Sequence, residues 1–132
     1  IDNSKIGINQ MIDKARNDNL IVIGLVGDIY AFDNYQDFDI VLLDSMFHFE
    51  KQDMQRETSL IEKIAKRIKN NGLICICIQD TGRKVKFLKD TIKKTKIEFD
   101  IINDSYLIYK YEDKESGHKS VTKYCMYIVK KT

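Results

Sequence analysis

No proline occurs among the 132 residues, and neither a repeat nor a low-complexity stretch marks a linker. Residues 1–132 therefore read as a single domain, long enough to bury a real core. Cysteine is scarce and odd in number, at positions 75, 77 and 125, which excludes a disulfide framework and fits a reducing compartment. Cys75 and Cys77 lie two apart in an apolar run, so on a strand they share a face as small buried hydrophobes. With two scattered histidines they supply too few ligands for a metal site, and none is expected. No apolar run approaches a membrane span and nothing resembles a signal peptide. The expected location is cytoplasmic, with no membrane partner. A last absence matters more: no Gly-x-Gly turn exists in the chain.

What is present is 43% hydrophobic and 32% charged, a soluble globular profile. The net charge of +2 is uneven. Residues 1–66 hold 7 basic against 12 acidic residues (net −5), and residues 67–132 hold 15 against 8 (net +7). A basic half can signal nucleic acid. Here the lysines at 84, 86, 89, 93, 94 and 96 spread along an amphipathic segment as a solvated face, so nucleic acid is not the expected partner.

Along the chain, Asn3 or Ser4 can cap a helix whose Ile8, Met11, Ile12 and Ala15 recur at the spacing of one buried face. Residues 17–19 (NDN) break it. Three apolar runs of strand length follow: residues 20–26 (LIVIGLV), 38–43 (FDIVLL) and 73–78 (LICICI). Such runs are expected as strands buried on both faces of a parallel sheet. Between them, residues 54–70 carry a helical stripe (Met54, Ile61, Ile64, Ala65, Ile68). It stops at Asn70-Asn71-Gly72, where glycine suits the left-handed position. Residues 81–94 form another helix with Val85, Leu88 and Ile92 inward. Residues 98–111 and 120–130 read as an antiparallel hairpin, reversed near Gly117. The pattern predicts an α/β fold: a Rossmann-like three-layer α/β/α sandwich, mostly parallel, with a C-terminal antiparallel hairpin.

In such sheets ligands bind at the carboxyl ends of the strands. The polar residues there are Asp2, Gly27-Asp28, Asp44-Ser45 and Gln79-Asp80-Thr81. A strand-end carboxylate can accept ribose hydroxyls or an adenine amino group. It can equally be a turn residue that caps a helix.

In this order the segments IDNSKIGINQMIDKA, VGDIYAFDNYQDFDIVLLDSMFHF and IAKRIKNNGLICICI, with the closing hairpin, resemble a class I S-adenosylmethionine-dependent methyltransferase of the small-molecule type. The resemblance covers nearly the whole chain. It implies S-adenosylmethionine as cofactor and a small-molecule substrate. Cofactor-binding residues would be Asp2 with Asn3 toward the ribose, Gly27 and Asp28 at the adenine amino group, the Ile29 amide at a ring nitrogen, and Asp44 and Ser45 at the methyl-donor end. His48 is the catalytic candidate, as a base that deprotonates the acceptor. It could equally pack under the following helix.

The family's first strand and glycine-rich turn have no counterpart here. The chain is therefore expected to be the C-terminal part of a longer protein, lacking the N-terminal βα unit. Alone it should bind cofactor poorly and expose strand edges that invite self-association. Three other readings stay open: a non-catalytic methyltransferase-like scaffold, a nucleotide-binding oxidoreductase, and a phosphorelay receiver with Asp44 as the phosphorylated residue.

Overall fold

A computed structural model describes residues 1–81 and 83–132. Two compact units make up the chain, Ile1–Asp33 and Asn34–Thr132.

In the first unit the helical spacing yields α1, Lys5–Asn17. Ser4 caps it, its hydroxyl accepting the Gly7 amide at 3.0 Å. At the other end Asn19 takes a positive φ of 55°. The Asn19 and Leu20 amides donate back to the Arg16 and Ala15 carbonyls, a Schellman closure. Ile8 and Ala15 are buried, whereas Met11 stays 40% exposed.

The run at residues 20–26 does not form the expected doubly buried strand. Only Val26 enters a ladder, through one parallel bridge to Asp2. Ile21 and Ile23 are almost wholly exposed. An apolar run becomes a strand only where a neighbouring backbone supplies a ladder of hydrogen bonds along it. Among the described residues, that pairing is limited to the single bridge.

The second unit holds one sheet in the order β1-β2-β4-β3. Its strands are β1 (Ile40–Asp44), β2 (Leu73–Gln79), β3 (Phe99–Glu112) and β4 (Lys119–Lys131). β1 and β2 run parallel, and the other two pairings are antiparallel. The α/β, Rossmann-like class is as expected. The balance of pairings is mixed because residues 20–26 are not in the sheet and the closing hairpin is long. Its last strand, β4, lies between β2 and β3.

The helices α2 (Met54–Arg67) and α3 (Lys84–Lys94) cover one sheet face. Leu43, Ile76, Ile78 and Val129 of the sheet meet Leu60, Ile64 and Leu88 of the helices there, each at most 1% exposed. Each such side chain contributes about 1.5–3 kcal/mol by leaving water. The other face is thinner: Ile40 and Leu42 are exposed, and Cys75 and Cys77 are half-buried rather than buried. The two thiols do share that face, as their spacing requires. Cys125 is buried on the helix-covered side.

The turn after α2 corrects another expectation. The left-handed residue is Asn71 (φ 66°), not Gly72. Gly72 is needed for space instead, since a Cβ there would stand 2.6 Å from Ile68 Cγ1 and 2.9 Å from the Lys69 carbonyl oxygen. α3 begins at Lys84 rather than at 81, and residue 82 of the expected helix lies outside the described residues. No helix among them is long and apolar enough to cross a membrane.

Candidate functional site

The first unit brings Asp2, Asn3, Gly27 and Asp28 together. The Asp2 amide donates to the Leu25 carbonyl at 3.1 Å, and the Gly27 amide returns a bond to the Asp2 carbonyl at 3.0 Å. Asp2 thus belongs to the single parallel bridge and Asp28 follows it by two residues. Each carboxylate is oriented by the backbone two residues on, Asp2 Oδ1 by the Ser4 amide at 2.7 Å and Asp28 Oδ1 by the Tyr30 amide at 2.9 Å. Such turns pin one oxygen and leave the other open to a ligand. Both residues are exposed. Gly27 has room for a Cβ, which would meet only Ile1 at 3.6 Å, so its smallness is not what the turn requires. Ile29 follows in the same turn.

In the second unit Asp44 ends β1 opposite Cys77. Ser45 turns the chain with φ 53°. Its amide is held by the Cys77 carbonyl at 2.9 Å, and its hydroxyl donates to Asp44 Oδ1 at 3.0 Å. Asp44 and Ser45 line a concavity of about 260 Å³ with Cys77, Leu107, Tyr109 and Tyr124. It lies on the sheet face that α2 and α3 do not cover, and the hairpin supplies its apolar and aromatic wall. Burial pushes the Cys77 thiol above its ordinary range, and the negative charge and hydrogen bond of Asp44 push it the same way. Burial raises Cys75 as well. Both shifts favour the thiol over the nucleophilic thiolate. Among the described residues no group of three or more His, Cys, Asp or Glu side chains could hold a metal ion.

His48 is exposed and does not line that concavity. Its neighbours do the packing: Phe47 and Phe49 stack at 5.6 Å, and Phe49 meets Phe87 edge-on at 4.8 Å. The segment is clamped by Glu57, a residue the sequence pattern did not single out. Glu57 is 1% exposed in the first turn of α2. Its two oxygens accept the His48 amide at 2.9 Å and the Phe49 amide at 2.6 Å. Only its place on the apolar stripe of α2 hinted at burial.

The remaining strand-end acid, Asp80, is engaged internally. Its carboxylate pairs with Lys123 at 2.9 Å, and its amide donates to the Lys123 carbonyl at 2.8 Å.

No family model matches the sequence, and no curated protein matches it. Solved structures do. TehB from Haemophilus influenzae superposes with a TM-score of 0.69 at 14% identity, covering 98% of this chain and 48% of TehB. A putative S-adenosylmethionine-dependent methyltransferase from Streptococcus mutans gives 0.63 at 16%, covering 97% of this chain and 36% of that one. The N-methyltransferase NodS from Bradyrhizobium japonicum, in complex with S-adenosyl-L-homocysteine, gives 0.63 at 11%, covering 98% and 64%. The chain thus spans between about a third and two thirds of these structures' lengths. Identities this low show the fold, which is that of the class I S-adenosylmethionine-dependent methyltransferases.

Proposed function

We propose that the chain takes part in S-adenosylmethionine-dependent methyl transfer to a small-molecule acceptor, in the cytoplasm. One observation carries the reading: a parallel bridge joins Asp2 to Val26, and Asp2 and Asp28 each present a carboxylate pre-oriented by a backbone amide. That acceptor set fits the nucleoside of the cofactor, whose hydroxyls and amino group are hydrogen-bond donors. Asp2, with Asn3 beside it, accepts the ribose hydroxyls. Asp28 accepts the adenine amino group, with the Gly27 turn presenting it and the Ile29 amide facing a ring nitrogen. The cofactor supplies a methyl group already activated on a sulfonium, so the protein's task is chiefly alignment.

Asp44 and Ser45 contact the methyl-donor end of the cofactor, and the concavity they line is where the acceptor enters. Tyr109, Tyr124 and Leu107 line its other side. His48 lies outside the lining of that concavity and would act as base only on an acceptor that extends beyond it.

Calorimetric titration of the full-length protein with S-adenosylmethionine and S-adenosylhomocysteine tests the reading. Each carboxylate contact contributes about 1.5–3 kcal/mol, so Asp2→Ala and Asp28→Ala should each weaken binding roughly ten- to a hundredfold. Absence of heat from a correctly folded sample refutes cofactor binding. It favours instead the non-catalytic scaffold, which the exposed His48 outside the concavity supports.

A further inference from the structure

We infer that β3 pairs with β3 of a second copy, antiparallel about a two-fold axis through Leu107. The inference does not rest on methyl transfer. β3 is the outer strand of the hairpin edge, and among the described residues its backbone from 103 to 111 pairs with β4 alone. Its protection is limited to the bulge at residues 101–103 and the charges of Asp104, Lys110 and Glu112. Residues 104–111 are all exposed, and Leu107, Ile108 and Tyr109 are respectively 43%, 62% and 53% exposed. A long, apolar, unpaired edge is a template for another strand.

Its charges select the occupant. Beyond the bulge at residues 101–103, β3 carries Asp104, Lys110 and Glu112. In an antiparallel pair with its own copy, residues whose numbers sum to a constant face each other. With Leu107 on the axis, Asp104 of each copy opposes Lys110 of the other. Tyr106 then opposes Ile108, and Ser105 opposes Tyr109. Moving the axis to residue 108 sets Asp104 against Glu112, and moving it to 104 sets Asp104 against itself. Like charges directly opposed are destabilising, whereas opposite charges and aromatic–β-branched pairs stabilise. Lys110 has no ionic partner within its own chain among the described residues, while Asp104 is already held by Lys89 at 2.7 Å.

The axis stands normal to the sheet, so the helix-covered faces of both copies stay on one side, and the pair closes as an isologous dimer. Leu107 and Tyr109 also line the concavity at Asp44. The pairing therefore extends that wall with Leu107 and Ser105 of the second copy.

Sedimentation velocity on the full chain should show a concentration-dependent dimer. Lys110→Asp sets like charges against each other twice and should weaken dimerisation at least about tenfold. Leu107→Cys sets its thiol opposite its own copy with Cα atoms about 4.5–5.5 Å apart, inside the range a disulfide spans. It should cross-link on mild oxidation. Ser105→Cys should not, because in this register the two copies of residue 105 lie roughly 13 Å apart along the strands. A monomer throughout the micromolar range overturns the inference. So does a dimer that Lys110→Asp leaves intact and Leu107→Cys does not cross-link, since it must then use another surface.

Discussion

Replacing Glu57 by alanine isolates the largest single polar contribution the second unit makes to its strand-end loop. The carboxylate is buried and accepts two backbone amides, from His48 at 2.9 Å and Phe49 at 2.6 Å. It also lies in the first turn of α2, where negative charge is favoured by the free amides and the helix dipole. Hydrogen bonds to a charged group contribute about 1.5–3 kcal/mol each. The two together suggest roughly 3–6 kcal/mol, reduced by the desolvation cost of the carboxylate, which alanine no longer incurs. Phe49 adds to the loss, because its φ of 50° is a conformation that costs about 1–3 kcal/mol unless its surroundings enforce it. A net loss of about 3 kcal/mol is expected, a large share of the 5–15 kcal/mol typical of a whole domain. With a urea slope of about 1–3 kcal/mol/M, the midpoint should fall by roughly 1–3 M, read by far-UV circular dichroism. Glu57→Gln keeps both the shape and one acceptor and should lose about half as much. Amide hydrogen exchange at residues 48 and 49 should accelerate in Glu57→Ala ahead of the rest of the sheet. A change below about 0.5 kcal/mol, the range of ordinary surface substitutions, with exchange at those amides unaltered, would refute the clamp.

The turn after α2 makes a paired prediction. Asn71→Gly should change stability by less than about 0.5 kcal/mol, since glycine accepts positive φ freely. Gly72→Ala, whose Cβ meets a backbone oxygen at 2.9 Å, should cost about 1–3 kcal/mol by overpacking. The reverse order in urea midpoints would contradict the assignment of their roles. Gly24→Ala drives a Cβ to 2.7 Å from Ile8 Cγ2 and 2.8 Å from Ile12 Cδ1, and should cost about 1–2 kcal/mol unless both isoleucines rotate away. Loss of α1 protection in hydrogen exchange reads it. Burial raises the thiols of Cys75, Cys77 and Cys125. The unfolded chain therefore loses those protons first, at about pH 8.5. Their contribution to stability is complete below that pH and declines as pH rises above it. A urea midpoint that stays level between about pH 7.5 and 9.5 would contradict this sign.

Local periodicity made the helices legible. Val85, Leu88 and Ile92 face inward on α3, and Ile61, Ile64 and Ala65 do so on α2, because a 3.6-residue repeat defines a face without reference to anything else. Ser4 was legible as a cap for the same reason: its partner, the Gly7 amide, is three residues away. The strand at 73–78 and the hairpin were legible from β-branched and aromatic content. Residues 20–26 were not, although they are as apolar as β2, because a strand needs a partner and composition does not reveal one. The candidate site divides the same way. Asp2, Asp28 and Asp44 could be marked as strand-end acids from their places after apolar runs, whereas Glu57 looked like an ordinary helix residue.

The amino-acid order alone thus determined the main helix faces, the Ser4 cap, the acid that ends β1 and the α/β class. Each depends on residues within a turn or two of one another. Tertiary structure alone decided that β4 lies between β2 and β3, that residues 20–26 keep one bridge, and that Asn71 rather than Gly72 turns left-handed. It also decided that Asp80 is spent on Lys123 while Glu57 holds the loop after Asp44. Those outcomes rest on hydrogen bonds and close approaches between chain segments that only folding brings together, so no local pattern encodes them.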